Sequence, residues 1–322
     1  MVRSHLDELY DTQFIDEMVN TPGVSLYLFG GPVRDLVLGR DWKDPDMRVA
    51  VEGGTMEEKE RIVEDALARA GVPIKGVARI PRIDLTVYRF VPKNSASDMD
   101  IDLSLMPTLH IEQSDFVMNS LFFNLGTGEL IDVYNAIDDI ENKVLRTLRE
   151  PEKEFQENPI AIHRALRQSC QHDVTIEKGT MNGLIEKAAH AIEPLRYVVE
   201  MRDDMWAEYY LANILKGFTV DPQRYFTLLV ETGAYEHIEA YVAKLLHGEV
   251  PNAGSINPFD TQAAQSDEHA IAIFLSHLCT RVHPEDLAQT FTTLKDLLTL
   301  NTEKKYKDLT LDQSKIQVVV PV

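Results

Sequence analysis

Residues 26–54 read LYLFGGPVRDLVLGRDWKDPDMRVAVEGG, and the reading of this stretch decides the fold. The run from Ser25 to Phe29 ends at Gly30-Gly31, the pattern of a strand entering a tight turn. Pro32 to Leu38 then places Val33, Leu36 and Val37 at i, i+3 and i+4, the apolar stripe of a helix start. Met47 to Val51 is a second strand, closed by Glu52-Gly53-Gly54. Before it comes Asp44-Pro45-Asp46, nine residues after Asp35. In extended chain, alternate side chains point the same way, so both carboxylates face one side about 7 Å apart along the backbone. Two hard carboxylates suit Mg²⁺, which keeps waters and takes further ligands from a substrate triphosphate. An acidic loop without a ligand has the same spelling. The glycine pair lets backbone N–H groups approach a phosphate, the helix start favours anions, and Arg34 adds a charge-assisted contact. A plain strand–helix turn with a solvated arginine is the other reading.

Working outward, Thr55 with Glu58 is a capping-box spelling, and the helix it opens stops at Gly71 with Ile62, Ala66, Leu67 and Ala70 as its core face. Ile83–Phe90 and Ile101–Leu105 read as strands, Phe116–Phe123 as a short helix or strand, and Gly126-Thr127-Gly128 as a hairpin turn. Asp98, Asp100 and Asp102 form a second alternating carboxylate run, either a further metal site or a solvated strand start. After Glu150 helical periodicity takes over, to about Leu246 and again from about Asp267 to Thr299. Residues 248–266 read as a linker, and the final KIQVVVPV as a β-like apolar tail.

A chain of 322 residues suggests about two domains. With 44% hydrophobic and 26% charged residues it is a soluble globular type, which excludes collagen-like, disordered and disulfide-scaffold classes. The longest apolar runs fall short of the roughly 18 residues a bilayer requires, so no membrane partner is expected. The polar, acidic start is unlike a signal peptide. Cys170 and Cys279 are too few for a disulfide framework and point to the cytoplasm or another reducing compartment. The ten histidines show no zinc spacing. A net charge of −20 argues against non-specific coating of nucleic acid, and no DNA partner is expected. Any polyanion must meet a local basic surface. Candidates are the stretch with Lys75, Arg79, Arg82, Arg89 and Lys93, which could equally be a basic sheet edge, and Lys304-Lys305-Tyr306-Lys307, which could equally be a solvated helix end.

The sequence resembles the class II tRNA nucleotidyltransferase (CCA-adding) and bacterial poly(A) polymerase family. The resemblance is tight over residues 26–54 and extends over roughly 24–240 through ARIPRIDLTVYRF, SDFVMNSLFFN, GELIDVYNAIDDIENKVLRTL, FQENPIAIHRALRQ, QHDVTIEKGT and YFTLLVETGAYEHI. It implies an α+β chain, with a polymerase-β-like nucleotidyltransferase head over residues 1–148, a helical neck over 149–215, and a helical body with a reduced tail over 216–322. It also implies transfer of nucleotides from CTP or ATP to the 3′ end of tRNA or another RNA, with Mg²⁺ as cofactor. Asp44 and Asp46 would then be catalytic and hold the metals, and Asp84 would be the third carboxylate, on the polar face of its strand. Gly30, Gly31 and Arg34 would meet the nucleotide, Asp115 the ribose 2′-hydroxyl, and Asn119 would order its loop. The family's paired arginines before the motif aspartate are Gln113-Ser114 here. Its base-reading aspartate and arginine align with Asn158 and Ala161, and its later arginines with Arg164 and Arg167. An asparagine amide that rotates can offer its oxygen or its NH₂, which would flatten base preference. Rival readings are a poly(A) polymerase or a transferase with altered base choice, and a catalytically silent homologue that binds nucleotide or RNA.

Overall fold

A computed structural model of the chain describes residues 2–42, 45–80, 84–97, 100–200, 213, 216, 217 and 220–246. The chain divides into two compact units, residues 1–142 and 143–322. The first begins with helices Val2–Leu9 (α1) and Gln13–Val19 (α2). Its sheet is built from Val24–Phe29 (β1), Asp46–Val51 (β2), Ile74–Ile80 (β3), Leu85–Phe90 (β4), Ile101–Leu105 (β5), Phe122–Asn124 (β6) and Leu130–Ile131 (β7), in spatial order β3-β4-β5-β2-β1-β6-β7. The β2–β5 pairing is parallel, and the other pairs are antiparallel. Helices Gly31–Val37 (α3) and Met56–Arg69 (α4) follow β1 and β2. The architecture is α+β.

Alternation along the strands separates two faces. On one, Leu26, Leu28, Met47, Val49, Leu103, Leu105, Tyr88 and Phe90 are fully buried. Phe14 of α2 meets Phe90 edge-on at 5.3 Å, so this is the face that the helices cover. The opposite face carries Asp46, Arg48, Asp102, Ser104 and Arg89, which are cross-strand neighbours by register. Stability thus sits on one face and polar chemistry on the other.

The capping box forms as expected: Thr55 accepts from the Glu58 N–H, and Glu58 accepts from the Thr55 N–H. The buried stripe of α4 differs from expectation. Lys59, Val63, Ala66 and Leu67 are buried, while Ile62 and Ala70 are only partly so. The Lys59 stem lies along the core, and its amine reaches the Pro107 carbonyl at 3.4 Å, so a lysine holds a position that an apolar count skips.

The second unit starts with Val144–Leu145 (β8), paired in parallel with Thr175–Ile176 (β9). That pairing takes β8 out of the head, so the unit boundary lies after Asn142 rather than Leu148. Helices Pro151–Glu157 (α6) and Ile160–His172 (α7) come between these strands, after α5 (Ala136–Glu141) closes the head. Lys178–Glu186 (α8), Glu193–Glu200 (α9) and two further helices, Pro222–Glu231 and Ala234–Leu246, complete the described part. Within it, the His163 ring contacts the Tyr225 hydroxyl at 3.2 Å and the Ala191 carbonyl at 2.8 Å, and burial pushes its pKa down to about 4. Cys170 is buried and its thiol is pushed up to about 12, an unreactive core cysteine. The linker at 248–266, the 304–307 cluster, Cys279 and the final KIQVVVPV lie outside the described residues.

Candidate active site at one end of the head sheet

Gly30 follows β1 with φ 69 and ψ −129, torsions that only glycine adopts cheaply. The turn is pinned by the Gly30 N–H donating to the Leu121 carbonyl at 3.1 Å. Arg34, one turn into α3, is buried and braces this corner. Its Nε donates to Asp35 Oδ1 at 2.9 Å, and its Nη1 to Asn119 Oδ1 at 2.7 Å. The Asn119 amide then donates to Asp115 Oδ1 at 3.0 Å, and the same oxygen accepts the Phe116 N–H at 2.9 Å. Burial lowers the Arg34 pKa, with Asp35 opposing the shift. The structure therefore brings Gly30, Gly31, Arg34, Asp115 and Asn119 together. Sequence reading took Arg34 for a phosphate contact, whereas the structure engages its guanidinium with Asp35 and Asn119.

Leu28 stands opposite Met47, so Asp46 begins β2 level with Phe29, the residue before Gly30. Asp46 is exposed, and its partner on the parallel strand is Asp102. Neighbouring strands lie about 4.8 Å apart, so the two carboxylates share one face side by side. Asp102 is held by Arg89, whose Nε and Nη2 each donate at 2.7 Å to one carboxylate oxygen. Asp44 lies outside the described residues. Asp46 and Asp102 are a pair of hard donors; no group of three or more His, Cys, Asp or Glu placed for a metal ion occurs among the described residues.

Asp84 is not brought to this end. It sits in the turn before β4 with φ 46, not on the strand itself. Thr86 pairs with Leu105 and Arg89 with Asp102, so Asp84 lies past the far end of the sheet. Five residues of strand separate its level from that of Asp102, about 16 Å. By register, the carboxylate beside Asp46 is that of Asp102. The alternating run through Asp102 was its only mark in the sequence, and the parallel pairing that selects it had none.

Arg48 was not singled out from the sequence. It is buried on the polar face, its guanidinium carbon 4.4 Å from the centre of the Phe29 ring. Burial pushes its pKa down to about 10, against the opposing pull of Glu112 and Asp46. Three of the five cations of the basic stretch are paired: Lys75 with Asp100 at 2.8 Å, Arg79 with Glu60 at 3.0 Å, and Arg89 with Asp102. Arg82 lies outside the described residues. This favours the sheet-edge reading over a phosphate track.

In the helical unit, Glu154 is 1% exposed and accepts from Arg149 Nε at 2.7 Å and from the Asn158 amide at 2.9 Å. A carboxylate only accepts, so the Asn158 NH₂ is held towards Glu154 and its oxygen faces elsewhere. The rotating amide expected from the sequence is therefore replaced by a fixed one. Ala161 is fully buried, while Arg164 and Arg167 are partly exposed, one and two turns further on. Arg167 Nη1 donates to Gln171 at 2.8 Å.

Three comparisons bear on this arrangement. Residues 26–146 match the family model of the poly(A) polymerase head domain. The CCA-adding enzyme of Enterococcus faecalis is 25% identical over 52% of this chain and 41% of its own length. That of Lactiplantibacillus plantarum is 25% identical over 68% of this chain and 54% of its own length. The chain thus spans about half the length of the curated relatives it matches. Among solved structures, the Bacillus stearothermophilus CCA-adding enzyme in complex with CTP superposes with TM-score 0.60 at 17% identity, over 93% of this chain and 69% of that one. The Thermotoga maritima CCA-adding enzyme complexed with tRNA superposes with TM-score 0.54 at 18% identity, over 94% of this chain and 76% of that one. These structures share the fold, and the match to the poly(A) polymerase head domain takes in residues 26–54.

Proposed function

We propose that this chain, whose residues 26–146 match the poly(A) polymerase head domain, is an RNA 3′-terminal nucleotidyltransferase of the CCA-adding type. One observation carries the reading: Asp46 and Asp102 stand side by side at the sheet end where the Gly30 turn is braced to Asp115 and Asn119. The donor set fits Mg²⁺, being two adjacent carboxylates, one exposed and one partly so, with room for waters and phosphate oxygens. Asp46 and Asp102 would hold the ion, with Asp44 as the further candidate. Bound there, Mg²⁺ supplies acidification of the RNA 3′-hydroxyl and neutralisation of charge on the triphosphate.

The chain's own groups do the rest. With the Gly30 N–H taken by Leu121 and none on Pro32, the Gly31 N–H is the amide that the turn can offer a phosphate without a side chain in the way, and Arg34 holds that turn to the Asp115 loop. Asp115 and Asn119 shape the edge against which a ribose packs. Attack of the RNA 3′-oxygen on the α-phosphate, in line with departing pyrophosphate, needs positioning more than covalent help. The Asn158 oxygen, fixed as an acceptor, suits the exocyclic amine shared by cytosine and adenine, and Arg164 and Arg167 lie on α7, which begins two residues later. CTP, ATP and the 3′ end of tRNA are the substrates proposed, and the cytoplasm or another reducing compartment is the site of action. A second reading, a silent nucleotide- or RNA-binding homologue, is favoured by the Arg89 clamp on Asp102 and by Gln113-Ser114, which bring no charge to the loop.

Incubation with Mg²⁺, each labelled NTP and tRNA lacking its 3′ end, read as product length, decides among them. Terminal C-C-A supports the first reading, a long homopolymer a poly(A) polymerase, and no product the silent homologue. Asp46→Ala abolishes transfer while leaving the melting temperature unchanged, because an exposed carboxylate contributes little to stability. Near-full activity in that variant would sink the metal assignment.

A further inference from the structure

Arg48 lies two residues beyond Asp46, on the same face of β2, and its partners come from β1, β5, β6 and the segment that leads to Asp115. Its guanidinium carbon is 4.4 Å from the Phe29 ring, next to Gly30, and 5.5 Å from the Phe122 ring, three residues after Asn119. Its Nε donates to Ser104 Oγ at 3.4 Å, two residues along β5 from Asp102, and Ser104 donates in turn to the Met47 carbonyl at 3.1 Å. Its Nη1 donates to the Leu109 carbonyl, in the segment that runs through the single turn Ile111–Gln113 to Asp115.

A buried charge is costly, and an unbranched apolar residue would fill this place more cheaply. What an apolar side chain lacks is the combination used here. A guanidinium stacks on rings through its plane while bonding through its edge, so one group joins aromatic rings to a hydroxyl and a carbonyl. We propose that Arg48 is the positioning residue of this site, seating the 106–113 segment, and Asp115 after it, against the strands that carry Asp46 and Asp102. The proposal rests on the nucleotidyltransferase reading for its kinetic arm only.

The full chain carrying Arg48→Met or Arg48→Lys is compared with the wild type. In Arg48→Met, kcat for nucleotide transfer falls at least a hundredfold, while KM for NTP stays within threefold. Arg48→Lys restores no more than a tenth of the lost rate, because an ammonium reaches the carbonyl but does not stack. Hydrogen exchange at the amides of residues 109–114 quickens at least tenfold in Arg48→Met, with β4 and β5 amides unchanged. Wild-type kcat, a loss carried by KM alone, or unchanged exchange at 109–114 would each overturn the proposal. Should Arg48→Met not fold, Arg48→Lys carries both readouts with the same criteria. If the wild type transfers no nucleotide, the functional reading fails and the exchange measurement alone decides the role of Arg48.

Discussion

In the head, Asn119 spans two partners: its oxygen accepts from Arg34 at 2.7 Å and its nitrogen donates to Asp115 at 3.0 Å. In the helical unit, Asn158 belongs to a network that likewise joins an arginine, Arg149, and a carboxylate, Glu154, but only its nitrogen is engaged, at 2.9 Å to Glu154. Its oxygen has no hydrogen-bond partner among the described residues. An amide used at both ends is a brace. An amide used at one end has a fixed direction and a spare acceptor, which is what reading a ligand requires. Residue identity thus does not distinguish the two asparagines; hydrogen-bond satisfaction does.

The largest expected effect would come from breaking the brace. Arg34→Met leaves Asn119 and Asp115 buried without their cation, each under a tenth exposed, and costs about 3 kcal/mol of unfolding free energy. Urea titration at pH 7.5 measures it. A loss under 1 kcal/mol would mean that Arg34 is not what holds the corner together.

Acid sharpens the contrast between the units. His163, in the helical unit, has its folded pKa depressed to about 4, so the unfolded chain binds the extra proton first. Its contribution is complete above the unfolded value near 6.5 and is lost as pH falls towards 4, by up to about 3 kcal/mol. Urea titrations of the wild type and His163→Gln across pH 4–7 should show a steeper slope in the wild type, the difference being the His163 contribution. Equal slopes would remove His163 as the cause.

The smallest effect tests the reading end. Asn158→Ala loses one hydrogen bond and should change stability by about 1 kcal/mol. In the wild type the fixed acceptor should favour CTP and ATP over UTP and GTP by about ten- to a hundredfold in kcat/KM, and the variant should lose that preference. Equal use of all four nucleotides by the wild type would break the comparison. Restoring an arginine at residue 161 does not offer a converse test, since Ala161 is fully buried and the larger side chain would overpack the helix.

Much of the head was legible because its rules are local. The strand ending at Gly30-Gly31, the helix after it and the Thr55–Glu58 capping box each depend on residues within four positions, where torsions and hydrogen bonds act directly. The Lys59 position in α4 escaped because a lysine stem counts as polar in any pattern. The helical texture after Glu150 was legible from its period, while the two-residue strands Val144–Leu145 and Thr175–Ile176 are too short to show one.

By itself, then, the sequence determined several of the elements, the glycine turn and an aspartate at the start of β2, because backbone preference and side-chain alternation are written over a few consecutive residues. Tertiary structure alone decided that Asp102 and not Asp84 stands beside Asp46, that Arg48 is buried against Phe29 rather than solvated, and that Asn119 is engaged at both ends of its amide while Asn158 is held through its nitrogen. Those outcomes depend on strand register and desolvation across separations such as the 56 residues between Arg48 and Ser104. A one-residue shift in such a pairing turns every side chain to the other face, and local pattern does not encode that choice.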